Sequence, residues 1–170
     1  MIKVIITNDY RELSQRAASI ILNQVLVKPN SVLGMPTGGT PVGVYQEIAR
    51  GHRESGYDFS KVRMINLDEY VGIDVNDSNS YRSYMEYYLY SHLNVDRAKM
   101  DIPNGLAKDL NEECVRYEKL LSKHKVDIQL LGIGGNGHIA FNEPGSSFKS
   151  RVRVEKLTPS TRKANSRYFG

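Results

Sequence analysis

Residues 132–145 read GIGGNGHIAFNEPG, and the spacing Gly132-x-Gly134-x-x-Gly137 matches the dinucleotide-binding fingerprint that follows a strand and opens a helix. The apolar run VDIQLLGI (126–133) ahead of it reads as a strand, which supplies the first half of that context. The second half is absent. A dinucleotide loop leads into a helix of about ten residues or more whose N-terminus meets the pyrophosphate, whereas Asn142, Pro144 and Gly145 interrupt this chain almost at once. The glycines serve another purpose, and His138 beside them marks a candidate site. Glu143, five residues on, can fold back onto the imidazole and fix its tautomer as an orienting acid does. A core histidine satisfied by backbone groups is the alternative.

Outward from this loop, strand and helix patterns alternate. IKVIIT (2–7) reads as a buried strand, after which Asn8 and Asp9 offer capping oxygens to a helix with apolar positions Leu13, Ala17, Ile20, Ile21 and Val25. SVLGM (31–35) is a second strand, followed by PTGGTP and a helix to about Arg50. VRMINL (62–67) is a third, running through the polar stretch DEYVGIDVNDSNS into the helix YRSYMEYYLYSHL. A further helix covers about Leu110 to Lys123, ahead of the strand at 126–133. RVRVEKL (151–157) reads as a strand, and Thr158 with Pro159 reads as a cap and first position of a last helix. The order predicts one α/β domain over residues 1–170 with a mainly parallel sheet. Ligands in such sheets gather beyond the carboxyl ends of the strands. That rule selects three loops: PTGGTP, DEY and GGNGHIAFNEPG.

Thr37-Gly38-Gly39-Thr40 follows a strand and precedes a helix, so its amides and hydroxyls suit an anion. No Lys follows as in a Walker loop, and a tight strand-to-helix turn that needs glycine for geometry alone is the other reading. Asp68 and Glu69 sit just past an apolar strand, where an unpaired carboxylate is costly. A functional acid/base is one solution, a salt bridge or helix cap the other. His52, His92 and His124 fall in polar helical segments without metal-ligand spacing, so no metal is expected.

Composition agrees with a globular chain: 170 residues, 40% hydrophobic and 25% charged. The start MIKVIITNDY lacks a signal-type apolar region, and no run of about 18 apolar residues occurs, which predicts a cytoplasmic protein without a membrane partner. The lone Cys114 lies in a helical pattern and reads as a structural thiol. Seven Lys or Arg lie between Lys149 and Arg167 against the single acid Glu155. A solvated face is the default for such a stretch. Without alternating aromatics or a reading motif, a small phosphorylated ligand ranks above nucleic acid.

Taken in order, LGMPTGGTP, NLDEYVG, SYRSYM, GIGGNGHIAFNEPG and TRKANSRYF resemble the glucosamine-6-phosphate deaminases, with HIAFNEPG and LDEY the most specific pieces. The related 6-phosphogluconolactonases share the fold but usually differ at Tyr70 and at residues 141–144; a sugar-phosphate sensor of the same fold is the non-enzymatic alternative. The resemblance implies a modified doubly wound, Rossmann-like sheet with flanking helices, truncated at its C-terminal end, no organic cofactor, an amino sugar phosphate as substrate and room for a homo-oligomer. It implies Asp68 as the base between C2 and C1, His138 as the ring-opening group with Asn136 and Glu143 as relay partners, Thr37 to Thr40 and Arg167 at the phosphate, and Gly132 along the sugar. Asn136 stands where many members have Asp; an amide can orient His138 but cannot share its proton. Some members are activated by N-acetylglucosamine 6-phosphate through a basic pair spaced Arg-x-Lys. Here those positions are Arg153 and Glu155, so no such activation is expected.

Overall fold

The computed structural model describes residues 2–166. Four strands, β1 (Val32–Met35), β2 (Arg63–Asn66), β3 (Met100–Asp101) and β4 (Ile128–Gln129), form one parallel sheet in the order β3-β2-β1-β4. The chain builds outward from β1 through β2 to β3, then returns to the other side of β1 for β4. That reversal puts a topological switch point between β1 and β4, the place where open parallel sheets leave a crevice at their carboxyl ends.

The helices are α1 (Tyr10–Val27), α2 (Val42–Ser55), α3 (Tyr81–Tyr88), α4 (Leu110–Lys123) and α5 (Pro159–Asn165). Asp9 caps α1 by accepting the Glu12 N–H at 2.7 Å, and Thr158 caps α5 with Pro159 at its first position, as expected. Helix α2 runs a turn beyond the expected Arg50 and stops where Gly56 takes a left-handed conformation, φ 72°. The apolar face of α1 (Ala18, Ile21, Val25) and that of α2 (Val44, Tyr45, Ile48) close over Leu33, Met35 and Met64 of the sheet. Burying such side chains contributes roughly 1.5–3 kcal/mol each.

Three expected strands change. Residues 2–7 lie outside the sheet with Ile2, Val4 and Ile6 exposed at 90%, 77% and 91%. A β-branched run suits a pleated surface but does not itself supply a partner, and both edges of β1 are already taken by β2 and β4. The run at 126–133 narrows to Ile128–Gln129 because β1 ends at Met35 before Pro36, leaving nothing beyond Leu130 to pair with. RVRVEKL forms no strand. Glu118 of α4 fixes it instead, accepting the Val152 N–H at 3.0 Å and pairing with Arg151 at 2.9 Å. The two-residue β3 is too short for its pattern to be read.

Buried Asn66 joins the carboxyl ends of the strands. Its amide donates to the Met35 carbonyl at 3.0 Å, its oxygen accepts from the Tyr90 hydroxyl at 2.9 Å, and its carbonyl accepts from the Tyr117 hydroxyl at 2.7 Å. Asn66→Ala would orphan the buried Tyr90 hydroxyl and the Met35 carbonyl, each at a cost of about 1–3 kcal/mol. We expect the substitution to lower unfolding stability by several kcal/mol in urea denaturation; a loss under 1 kcal/mol would show that the network does not hold the strand ends.

Candidate active site

All three selected loops open on one cavity of about 940 Å³, lined by Thr37 to Thr40 after β1, Asp68 and Tyr70 after β2, Tyr81 and Tyr84 of α3, Gly132 to Gly135 and His138 after β4, and Asn165 of α5. Among the described residues lining it, none is Lys or Arg. Arg167 lies outside the described residues. Of the basic stretch, Arg151 and Arg153 are paired with Glu118 and Glu155, while Lys149, Lys156, Arg162 and Lys163 are exposed to solvent.

The TGGT loop begins where Gly38 adopts φ 111°, a conformation that L side chains rarely take. Three phenols grip its carbonyls. Tyr45 donates to Pro36 O, Tyr84 to Gly38 O at 2.6 Å, and Tyr10 to Thr40 O at 2.8 Å while accepting the Gly43 N–H at 2.8 Å. With these carbonyls engaged and the Thr37 hydroxyl bonded to Tyr81, the loop's amides are the groups left to meet an anion.

The adjacent carboxylates differ in what they meet. Glu69 is a helix cap: it accepts the N–H groups of Tyr81 at 3.0 Å and Arg82 at 3.2 Å, satisfying the first turn of α3. Burial nevertheless raises it above the ordinary carboxylate range, outweighing those bonds. Asp68 keeps a face toward the cavity yet has protein on nearly every other side. Burial first, and Glu69 beside it second, push its carboxyl up to about 7, against the opposing pull of the Phe141 backbone N–H. Tyr70, Tyr81 and Phe141 wall it in, with ring centroids 4.9, 5.3 and 5.9 Å apart, and Asn165 of α5 donates to the Tyr70 hydroxyl at 2.9 Å.

The glycines after β4 make room for the histidine. A Cβ on Gly134 would lie 2.3 Å from the His138 ring, and Gly137 turns with φ 86° so that the loop closes on itself through Gly134 N–H to His138 O at 2.9 Å. Glu143 does not reach the imidazole, contrary to the expectation of a direct pair. Its oxygens accept from Asn136 Nδ2, the Thr158 N–H and the Thr158 hydroxyl at 3.0, 3.0 and 3.2 Å. The side chain touching the ring is Thr161, whose Oγ1 lies 3.4 Å from His138 Nδ1 and 3.4 Å from Asn136 Nδ2. Asn136 also accepts the His138 N–H at 3.2 Å. Burial of Glu143, at 7% exposure, is the largest single influence and opposes ionisation; hydrogen bonds from Thr161, Thr158 and Asn136 together prevail and hold it below the usual range. Thr158 was legible as a cap but not as a partner of Glu143, and nothing in the local sequence pattern marks Thr161.

A family model described as glucosamine-6-phosphate isomerases/6-phosphogluconolactonase matches residues 8–164. The chain belongs to this family. It is 49% identical over 168 residues to a glucosamine-6-phosphate deaminase of Geobacillus sp. (strain WCH70), covering 98% of this chain and 67% of that protein. It is 51% identical over 167 residues to the deaminase of Bacillus velezensis (strain DSM 23117 / BGSC 10A6 / LMG 26770 / FZB42), covering 98% and 69%. The chain thus spans about two thirds of the length of these relatives. The solved structure of a monomeric glucosamine-6-phosphate deaminase superposes with a TM-score of 0.97 at 49% identity, over 99% of this chain and 70% of that one. A 6-phosphogluconolactonase from Leishmania guyanensis, at 21% identity and a TM-score of 0.75 over 94% and 72%, shares the fold. Among the described residues of this family member, no helix is long and apolar enough to cross a membrane.

A carboxyl raised by folding favours the unfolded chain once the pH exceeds its unfolded value. With Asp68 near 3.8 unfolded and about 7 folded, the cost is absent below about pH 4, grows as the pH climbs to 7 and is constant above, reaching at most about 4 kcal/mol. We expect Asp68→Asn to stabilise the protein at pH 8 and to have little effect at pH 4, measured by denaturant unfolding at both values. Equal effects at the two pH values would mean that Asp68 is solvated.

Proposed function

We propose that this chain carries the catalytic site of a glucosamine-6-phosphate deaminase, converting glucosamine 6-phosphate and water to fructose 6-phosphate and ammonia. The observation that carries the reading is Asp68, a carboxyl tuned by burial to about 7 at the end of β2 and facing the same cavity as an anion loop and a histidine. A general base works best when its pKa lies near the working pH.

In this reading the TGGT loop, joined by Arg167, holds the phosphate and so fixes the sugar along Gly132. His138, oriented by Thr161, Asn136 and Glu143, moves the proton from the anomeric hydroxyl to the ring oxygen and opens the pyranose. Asp68 takes the proton from C2 of the open chain while O1 takes one from the C2 ammonium, leaving an enolamine, and Asp68 returns its proton to C1. The C2 imine so formed adds water and expels ammonia. One proton leaves C2 and one arrives at C1, so the base is regenerated, and water supplies the new ketone oxygen.

The test is ammonia release from glucosamine 6-phosphate by the full chain bearing this sequence. Activity should fall about tenfold per pH unit below 7 as Asp68 protonates, and Asp68→Asn should lower kcat by ~10² to 10⁴. Hydrolysis of 6-phosphogluconolactone without ammonia release would replace the deaminase by a lactonase. His138→Gln should slow turnover of cyclic substrate more than that of open-chain substrate in pre-steady-state assays; equal losses would remove His138 from ring opening.

A further inference from the structure

Ala140 has φ 52°, the one positive value among the described non-glycine residues. A left-handed alanine is strained and persists only where its surroundings enforce it. The next amide, Phe141 N–H, is the donor that favours the ionised form of Asp68. The strained turn therefore aims a backbone donor at the carboxylate.

Arg153 holds that turn. Its Nη1 donates to Asn142 Oδ1 at 3.1 Å, its Nη2 to Ser146 Oγ at 3.0 Å and its Nε to Glu155 Oε2 at 2.7 Å. Asn142 in turn closes a bracket around Ala140 and Phe141, donating through both N and Nδ2 to the Ile139 carbonyl at 3.1 Å. The guanidinium lines a second cavity of about 850 Å³ behind Phe141, not the one holding His138 and the TGGT loop. A lone ion pair at this exposure would contribute little, but a planar fork satisfied on three sides fixes a geometry.

We propose that Arg153 is a positioning residue for Asp68: through Asn142 it locks the Ala140–Phe141 turn so that the Phe141 amide stays directed at the carboxylate. The kinetic part of this inference rests on Asp68 being the base of the proposed deaminase. The titratable groups facing Asp68 are Glu69 and Tyr70 on its own segment, Tyr81 of α3 and Tyr117 of α4. Arg153 lines the second cavity together with Asp68, Glu69, Tyr70 and Tyr117, but its guanidinium is paired with Glu155 at 2.7 Å and is not among the influences on the Asp68 carboxyl, so it acts through the backbone rather than by its charge.

The experiment uses the full chain with Arg153→Met/Glu155→Gln, which leaves no unpaired carboxylate, and Asn142→Ala, which removes the middle link. Two readouts are taken: kcat and KM against pH, and the pH titration of the Phe141 amide resonance in the ligand-free protein by NMR. We expect kcat to fall roughly tenfold with KM within about twofold, as for a displaced catalytic group. The acidic limb and the Phe141 midpoint should both move up by roughly half a unit or more, since the lost bond favoured the ionised form. An unchanged Phe141 midpoint overturns the proposal, even if the melting temperature drops. If the wild-type chain releases no ammonia, the deaminase reading fails and the Phe141 midpoint alone decides the positioning. If the double variant does not fold, Asn142→Ala decides by the same midpoint.

Discussion

The structure is organised around a carboxylate shielded from water on all but its cavity side, at the end of a parallel strand. No cation is among the influences on the Asp68 carboxyl: the cavity it shares with His138 has none among the described residues, Arg151 and Arg153 of the second cavity it lines are paired with Glu118 and Glu155, and Glu69 beside it adds repulsion. Such a group survives only if the scaffold supplies the free energy elsewhere. Here the supply is visible: Asn66 locks the strand ends, the phenols of Tyr90 and Tyr117 anchor Asn66, and Glu69 spends its own oxygens on α3. The rings of Tyr70, Tyr81 and Phe141 then keep solvent from the remaining sides.

The parallel topology explains why three sequence-distant loops converge. With β2 and β4 on opposite sides of β1, the loops after these strands emerge side by side, and the crossover helices are forced onto the faces of the sheet. The cavity follows from strand order, before any side chain is considered. What the side chains add is a contrast between a carboxyl raised by burial to about 7 and a histidine held by a neutral hydroxyl.

Periodicity with the Asp9 cap made α1 legible, the pattern over Leu110 to Lys123 made α4 legible, and Thr158 with Pro159 marked the start of α5. Such patterns failed at residues 2–7 and 151–157, where strand-like composition alone did not bring the chain onto an edge of the sheet. At the site, the glycine pattern around His138 and the position of Asp68 after its strand pointed to two loops that line one cavity. The threonine between His138 and Glu143 stayed hidden, since it lies 23 residues from the histidine and only the fold brings them together. The direct His138–Glu143 contact inferred from their short separation was wrong for the same reason: Asn136 and two hydroxyls compete for the carboxylate and satisfy it first.

Thr158 and Thr161 belong to two structures at once. They close the first turn of α5 and they join His138 to Glu143. A helix of seven residues is too short to stand in water by itself, since its nucleation cost outweighs the few bonds it gains. Its helicity is therefore borrowed from the contacts its first turn makes with Glu143 and from Asn165 against Tyr70. Winding of α5 and assembly of the histidine relay are thus one equilibrium, so a chain in which this helix frays has a dismantled site without any change in its core.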